Sequence, residues 1–267
     1  MKMMFIGDIV GSGGRKAVME LVPELRRKHN LSLVIANAEN SAAGSGITAN
    51  IARELSKVVD VITTGDHVWD QKGFDSEVGT LGNFVRPANY HPNQPGCGWK
   101  IFNNPAGGDF AVIALQGQLF MRECAKSPFI AVQEILNAIP VRIKNIFVDF
   151  HAEATSEKRA MGYLLEGKVT AVFGTHTHIQ TADEQVLPGG TAIIADAGMV
   201  GGVRSVLGRD VDAVLKKFTS GMPNRLPVVE NNIMLNAVIV TYDYNTGRAS
   251  AIERISEIYN PDRKSVV

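Results

Sequence analysis

The sequence has few cysteines, no excess of charge and no long apolar run. Cys97 and Cys124 are its only cysteines. They are too few for a disulfide framework and lack zinc-finger spacing, so we expect reduced thiols. Lysine plus arginine and aspartate plus glutamate each number 27, which disfavours a broad surface for long nucleic acid. With no run near the ~20 apolar residues of a membrane span and no signal-peptide pattern, we predict a cytoplasmic protein that binds neither membranes nor long nucleic acid.

The 267 residues show no repeat or long polar linker, which predicts one domain over residues 1–267. Strands alternate with helices early in the chain and hairpins follow later, as in a layered α/β sandwich. The expected strands are 3–7, 31–36, 60–64, 99–103, 110–115, 143–150, 169–173, 191–195, 232–242 and 249–256. The expected helices are 15–29, 48–58, 128–138, 156–166 and 211–218, and a turn at 105–108 joins two strands.

Three expected strands end in an acidic residue. Asp8, Glu39 and Asp66 each stand at or just beyond the carboxyl end of an apolar run. In open α/β sheets, ligands sit at this edge. A single acid there is commonly a cap or turn residue, but three in register are better explained by a bound cation.

Histidines occupy the same kind of position. His67 follows Asp66 directly, His151 ends another apolar run, and His176 and His178 follow a further one. On an extended backbone, His176 and His178 would point the same way, and neutral imidazoles bind zinc, iron, nickel and copper. The alternative interpretation is a polar loop whose histidines only form local hydrogen bonds.

The glycines at 11–14 invite a phosphate-loop interpretation, because they separate a strand from a helix. However, the P-loop pattern is absent and the spacing breaks the dinucleotide-binding fingerprint. A nucleotide-cradling role is therefore disfavoured.

The candidate ligands suit two metal ions. They are Asp8, Glu39, Asp66, His151, His176 and His178. Mixed nitrogen and oxygen donors favour Mn, Fe, Zn, Co or Ni over Mg or Ca alone. Six ligands are too many for one open catalytic ion, but they fit two ions about 3.5–4 Å apart, with a bridging hydroxide as nucleophile toward a phosphate ester. His67, next to a ligand, is the expected general acid for the leaving group.

These motifs resemble the calcineurin-like metallophosphoesterase superfamily and, more narrowly, the bacterial YmdB-like family of 2′,3′-cyclic-nucleotide phosphodiesterases. The matching stretches are 5–11, 37–40, 65–70, 86–90, 148–158, 174–184 and 196–201. The stretch at 148–158 is the longest and most specific of them. The matches follow the family's order over most of the chain.

The resemblance implies a four-layer αββα sandwich with mixed sheets, and a small phosphodiester or nucleotide as substrate. It implies one metal ion held by Asp8, Glu39 and His178 and another held by Glu39, Asp66, His151 and His176, with Glu39 bridging. Iron or manganese are the first expectation, and zinc, cobalt or nickel are the alternatives. The implied neighbours of substrate or metal are Asn40, Arg86, Asn89 and Tyr90.

Two positions depart from the patterns. The superfamily has histidine where this chain has Val10, a difference the narrower family shares. That family has asparagine where this chain has Asp66, and the added negative charge is expected to tighten metal binding and weaken attraction for a phosphodiester. A phosphomonoesterase, a nuclease or a weakly active regulatory metal- or nucleotide-binding protein remain the alternatives. A homo-oligomer also remains open.

Overall fold

The computed structural model describes residues 1–104, 108–122 and 124–260. The turn expected at 105–108 therefore lies mostly outside the described residues. Within them, the chain forms fourteen strands and six α-helices. The strands are β1 Lys2–Ile6, β2 Asp8–Ile9, β3 Leu33–Asn37, β4 Val61–Thr63, β5 Phe84–Val85, β6 Trp99–Asn104, β7 Gly108–Gln116, β8 Asn145–His151, β9 Ala171–Thr175, β10 Gln185–Val186, β11 Ala192–Ile194, β12 Met199–Gly202, β13 Ile233–Tyr242 and β14 Ala249–Tyr259. The helices are α1 Gly11–His29, α2 Ala49–Leu55, α3 Phe74–Glu77, α4 Pro128–Ala138, α5 Thr155–Leu165 and α6 Val211–Ser220.

The first sheet has eight strands in the order β2-β12-β13-β1-β3-β4-β5, with β14 also paired to β13. β1, β3, β4 and β5 run parallel, whereas β13 is antiparallel to its neighbours β1, β12 and β14. The parallel strands end at one edge of the sheet.

The second sheet has six strands in the order β10-β11-β9-β8-β7-β6. Its central strands β7, β8, β9 and β11 are parallel, and the outer strands β6 and β10 are antiparallel to their neighbours. Both sheets are therefore mixed, and each has one edge at which several parallel strands end.

Side-chain alternation along the strands builds three apolar layers. In β1, Met4 and Ile6 pack with α1 and α2 on one face, whereas Met3 and Phe5 face the second sheet. The rings of Phe5 and Phe173 stack across the two sheets with centroids 4.4 Å apart. A third layer joins the outer face of the second sheet to α4 and α5. The result is the expected αββα sandwich, held by burial of apolar side chains.

Helix α1 begins earlier than the sequence predicted. The expected helix was 15–29, but the glycine stretch itself forms the first turn of Gly11–His29. The carboxylate of Glu230 accepts hydrogen bonds from the hydroxyl of Ser12, at 2.7 Å, and from the backbone N–H of Gly13. A Cβ at Gly13 would meet the backbone of Glu230. The glycines therefore allow the backbone of Glu230 to approach closely. The hydrogen-bond donors that a phosphate would need here already bind the carboxylate of Glu230.

Other helix starts agree with their capping residues. The hydroxyl of Thr48 accepts from the N–H of Ile51 ahead of α2, and the carboxylate of Asp210 accepts from the N–H of Ala213 ahead of α6. Among the described residues, no helix has the length and apolar character to cross a membrane.

Candidate metal centre

Two carboxylates and two imidazoles converge where the parallel strands of both sheets end. Donor atoms of Glu39, Asp66, His151 and His176 all lie within 4.8 Å of one another. Nε2 of His151 lies 3.1 Å from Oε1 of Glu39, 3.2 Å from Oδ1 of Asp66 and 3.1 Å from Nδ1 of His176. These four residues, which we call the central cluster, have a spacing that suits one metal ion.

Each sheet contributes half of the central cluster. Glu39 follows β3 and Asp66 follows β4, two parallel strands of the first sheet. His151 is the last residue of β8 and His176 follows β9, two parallel strands of the second. The strand ends of one sheet share an edge, and face-to-face packing brings the two edges together.

A hydrogen-bond chain beneath the central cluster orients the ring of His151. Oγ1 of Thr175 donates to Oδ1 of Asp149 at 2.7 Å and lies 2.9 Å from Nδ1 of His151. A hydroxyl has only one hydrogen, and Asp149 accepts it, so Nδ1 of His151 is the donor to Thr175. Nε2 is therefore the nitrogen that faces the cluster and can bind a metal ion.

Asp149 also ties the two sheets together. Nδ2 of Asn37 and Oγ1 of Thr63, both from the first sheet, lie 2.9 Å and 2.5 Å from its Oδ2. Burial raises the pKa of Asp149, while the charge of His151 and these hydrogen bonds act in the opposite direction. The carboxylate is satisfied by protein donors, so its role is to hold the frame of the site.

The structure corrects the expected backbone of the histidine pair. β9 ends at Thr175, and φ is 98° at His176 and 64° at His178, so neither residue is extended. Such conformations cost residues with side chains about 1–3 kcal/mol. Strand alternation fails here because the chain turns: Nδ1 of His176 faces His151, whereas Nε2 of His178 lies 3.1 Å from Oδ1 of Asn40.

Two buried carboxylates hold this turn. Oδ2 of Asp8 accepts from the backbone N–H of His176 at 3.1 Å. Oδ2 of Asp196 accepts from both the N–H and the hydroxyl of Thr177, at 3.0 Å and 2.7 Å. Nζ of Lys158 lies 2.8 Å from the same oxygen, with side chains 2% and 1% exposed for Lys158 and Asp196. These contacts offset the strain of the turn.

A second group of donors, formed by Asp8, Asn40 and His178, flanks the central cluster. Nδ1 of His178 lies 3.2 Å from the carbonyl oxygen of Leu207, which only accepts, so Nδ1 is the donor. Burial lowers the pKa of His178, and in the neutral ring Nε2 presents a lone pair to Oδ1 of Asn40. Oδ1 of Asp8 is buried and has no hydrogen-bond partner among the residues that the structure describes. Facing electron pairs and an unpartnered carboxylate oxygen fit the ligands of a cation.

Charge coupling is strong among these residues. Burial alone would lower the pKa of His151, but Glu39 and Asp66 beside it raise that pKa well above its usual value. In return, the charge of His151 opposes burial and lowers the pKa of both carboxylates. Burial, together with the charge of His151, lowers the pKa of His176 to about 4. A proton on His151 therefore stabilises the carboxylates, as a bound cation would in its place.

His67 lies beside the cluster and is oriented by Asp70. Its backbone N–H donates to Oε2 of Glu39 at 3.1 Å, and its Nδ1 lies 2.6 Å from Oδ2 of Asp70. The hydroxyl of Ser45 donates to the same Asp70 oxygen at 2.6 Å. His67, Glu39, Asn40, His176 and His178 line one cavity of about 330 Å³, which we call the metal cleft. The Asp70 contact favours an Nδ1–H, as in a general acid held by a carboxylate.

Arg122 offsets part of the negative charge. Its Nη1 donates to the backbone oxygen of Asp66 at 2.9 Å and to Oδ1 of Asp70 at 3.2 Å, and its Nε lies 3.6 Å from Oδ2 of Asp66. Burial would raise the pKa of Asp70, but hydrogen bonds from Ser45, His67 and Arg122 lower it. The extra carboxylate at position 66 thus lies beside the positively charged guanidinium of Arg122.

The three expected substrate contacts in the loop at 86–90 have different surroundings. The guanidinium of Arg86 donates to the carbonyl oxygens of Pro87, Gln94 and Pro95, and it is buried. Asn89 is also buried, with its amide bonded to backbone groups of residues 116 and 126. Both side chains therefore support the loop from within. Tyr90 alone of the three borders the central cluster, with its hydroxyl 3.3 Å from the carbonyl oxygen of Gly65.

Sequence reasoning missed the residues that orient or contact the predicted ligands and His67. They are Asp70, Asp149, Glu153, Thr175, Asp196 and Arg122. Glu153, for example, lies 3.1 Å from Nε2 of His176 and directs Nδ1 of that ring to the cluster. A usable signal was a polar residue inside a buried apolar run, as with Asp149 between Val148 and Phe150 in β8.

Comparison with known proteins gives one consistent result. A Bacillus subtilis (strain 168) protein named 2′,3′-cyclic-nucleotide 2′-phosphodiesterase is 43% identical over 256 residues, which are 96% of each chain. A Mycoplasma pneumoniae structure, described as a novel phosphatase, superposes with a TM-score of 0.91 at 32% identity, covering 98% of this chain and 95% of that one.

A more distant structure extends the likeness of fold. The calcineurin-like phosphoesterase YfkN from Bacillus subtilis has a TM-score of 0.55 at 11% identity, over 97% of this chain and 90% of that one. This likeness shows the fold alone.

Residues 4–255 match the family described as YmdB-like protein. With its αββα sandwich and its cluster of carboxylates and imidazoles, the chain belongs to the YmdB-like family of phosphoesterases.

Proposed function

We propose that the protein is a phosphodiesterase that hydrolyses 2′,3′-cyclic nucleotides and related small phosphodiesters with two transition-metal ions. The observation that carries the proposal is the central cluster with the His67–Asp70 pair beside it. In this arrangement, side chains that can bind cations lie next to the imidazole of His67, which the carboxylate of Asp70 holds in position. The name of the Bacillus subtilis relative supports the choice of substrate.

Two groups of side chains would hold the ions. Glu39, Asp66, His151 and His176 would bind one, and Asp8, Glu39 and His178 the other, with Glu39 as the bridge and Asn40 beside the second. When bound, such ions activate water and neutralise phosphate oxygens. Mixed nitrogen and oxygen donors support iron or manganese, with zinc, cobalt or nickel as alternatives.

His67 would supply the proton that the leaving ribose oxygen needs. In its doubly protonated form, Nδ1–H donates to Asp70 and the proton on Nε2 is free for transfer. Asp70 stabilises the positive charge of that ring, and the N–H of His67 on Glu39 keeps the ring at the edge of the cluster. The same residue would also neutralise charge on the substrate before transfer.

A phosphomonoesterase is the second candidate, and the description of the Mycoplasma pneumoniae structure favours it. The same donor set can bind any phosphate ester. The two candidates differ in the substrate that turns over fastest, because a monoester brings an additional negative charge toward the three acidic ligands.

The test combines metal analysis and turnover on one sample. Protein loaded with Mn²⁺ or Fe²⁺ is expected to hold two ions per chain and to hydrolyse 2′,3′-cyclic AMP faster than p-nitrophenyl phosphate. A preparation that never exceeds one ion per chain contradicts the two-metal proposal. Turnover of the monoester alone supports the phosphomonoesterase. Two bound ions without turnover of either ester would support the regulatory binding protein.

A further inference from the structure

A second cavity adjoins the central cluster and has a different chemistry from the metal cleft. It measures about 400 Å³, and we call it the aromatic pocket. Its lining includes Asp66, Trp69, Tyr90, His91, Gln94 and Arg122. Asp66 belongs to both the central cluster and the pocket wall, so a ligand in one site is close to a ligand in the other.

We propose that the aromatic pocket binds the base of a cyclic nucleotide whose phosphodiester lies over the central cluster. The inference rests on the proposed function and names the part of that substrate which selects it. In a 2′,3′-cyclic nucleotide the base is attached to C1′, next to the carbon that carries the 2′ oxygen. The base must therefore lie in a space that borders the phosphate site, as this pocket does.

The two neighbouring cavities offer a base different surroundings. The aromatic pocket contains the indole of Trp69 and the phenol ring of Tyr90, which provide flat apolar surfaces. The lining of the metal cleft contains carboxylates, imidazoles, aliphatic side chains and Arg209, without Trp, Tyr or Phe among the described residues. Bases stack on aromatic rings, whereas carboxylates and imidazoles suit cations and phosphate. The division of chemistry therefore favours the phosphate in the metal cleft and the base in the aromatic pocket.

Gln94 supplies the polar contact of the pocket. The indole N–H of Trp69 lies 2.8 Å from Oε1 of Gln94. Since an indole N–H only donates, this bond assigns the oxygen of the amide. The two hydrogens on Nε2 then remain to meet acceptors on a base edge.

His91 adds a second donor. Its Nδ1 accepts from the backbone N–H of Asn93 at 3.2 Å, so its Nε2 carries the proton. Oxygen and ring-nitrogen acceptors occur on every base, and two protein donors therefore favour a nucleotide over a phosphodiester that lacks a base. A site built for such acceptors also discriminates against ligands that leave its donors unpaired.

The experiment compares 2′,3′-cyclic AMP and 2′,3′-cyclic UMP with glycerol 1,2-cyclic phosphate, which has the same five-membered cyclic diester and no base. The wild-type metal-loaded enzyme is expected to have a kcat/KM at least about tenfold higher for the nucleotides. Gln94→Leu should raise KM for the nucleotides by up to about tenfold and leave kcat, and all constants for the glycerol ester, unchanged. Gln133→Leu, on the exposed face of α4, is the matched control.

Trp69 tests the stacking contact. Trp69→Leu should lower kcat/KM for both nucleotides by about tenfold or more, and Trp69→Phe, which keeps an aromatic face, should recover most of the loss. Equal losses for the nucleotides and the glycerol ester would overturn the base pocket, as would a wild-type enzyme that does not distinguish them. If the wild type hydrolyses none of the three cyclic esters, the proposed function fails as well. If Trp69→Leu does not fold, the Gln94→Leu variant still tests the base pocket.

Discussion

The two sheets contribute opposite kinds of side chain to the site. The first sheet supplies the carboxylates of Asp8, Glu39 and Asp66, and the second supplies the imidazoles of His151, His176 and His178. Each edge alone would be a poor catalytic site, because the acids repel one another and the imidazoles lack a countercharge. Face-to-face packing of the two sheets brings the carboxylates of one next to the imidazoles of the other.

The two halves also differ in how they are held. The carboxylates stand close to ordinary strand ends, whereas the histidines depend on buried acids. Two of these acids, Asp149 and Asp196, come from the second sheet, and one, Asp8, comes from the first. Asp149 acts on His151 through Thr175, and Asp196 holds Thr177 between the other two histidines. A metal ligand is only as well oriented as the groups that bind it. Substitution of Glu39 or Asp66 should therefore remove a proposed ligand, whereas substitution of the groups that hold the histidines should misplace one.

The largest expected effect is that of Glu39→Gln in the first sheet. Loss of the carboxylate that we propose as the bridge should lower metal occupancy and reduce kcat/KM for 2′,3′-cyclic AMP by about 10⁴-fold, since two bound ions would supply several kcal/mol of transition-state stabilisation. Glu24→Gln, on the exposed side of α1, should change neither. Full occupancy with two ions in Glu39→Gln would contradict the bridging role.

His67 is the imidazole that comes from the first sheet. Its substitution tests proton transfer separately from metal binding. His67→Ala should retain both ions and reduce turnover of 2′,3′-cyclic AMP by about 10²–10⁴-fold. Bis(p-nitrophenyl) phosphate, whose leaving group needs no proton, should be affected less. Equal losses on the two esters would show that His67 places the substrate instead of protonating its leaving group.

The supports of the second sheet should give intermediate effects. Thr175→Val removes the hydroxyl between Asp149 and His151, and Thr177→Val removes one of the bonds to Asp196. Each is expected to weaken metal affinity or activity by about 10–100-fold, with part of the activity restored by excess metal. Thr219→Val, on exposed α6, is the control. An unchanged metal titration in both variants would mean that the first sheet alone sets the geometry.

Asp66→Asn should have a smaller effect, and its two consequences differ in sign. Metal affinity should fall, because a carboxylate is the stronger ligand, while the rate at saturating metal should hold or rise because the site becomes more positive. Arg122 already offsets some of the charge of Asp66, so the rise should be smaller in Arg122-intact protein than in the Arg122→Gln background. Unchanged affinity and rate would remove Asp66 from the ligand set.

The smallest expected effect is a pH dependence of stability in metal-free protein. The neighbouring carboxylates raise the pKa of His151 above the usual 6.5, so its stabilising contribution is complete below 6.5 and is lost as pH rises through the raised value. With chelator present, the melting temperature should fall above pH 6.5. His151→Gln should flatten that slope, and metal-loaded protein should not show it, because the ions replace the proton. A metal-free protein whose melting temperature rises over this range would contradict the coupling.

Local pattern was enough to locate most elements and the ends of the strands. Period-two alternation in β1 separates Met3 and Phe5 from Met4 and Ile6, and Thr48 marks the start of α2. The same reasoning placed the start of α1 too late. The first turn is held by the carboxylate of Glu230, more than two hundred residues away, which accepts a hydrogen bond from Ser12. The reasoning failed at His176 and His178 because their direction depends on a turn that distant acids hold.

The sequence by itself determined which residues stand at strand ends and, through the family motifs, the class of protein, because these depend on residue types in fixed order along the chain. Only the tertiary structure decided which atoms meet. The tautomer of His151 depends on Asp149 and Thr175, the turn at 176–178 on Asp8 and Asp196, and the aromatic pocket on Trp69 and Gln94. Each of these contacts joins residues far apart in the chain or in a geometry that no local periodicity specifies, so only the packing of the two sheets creates them.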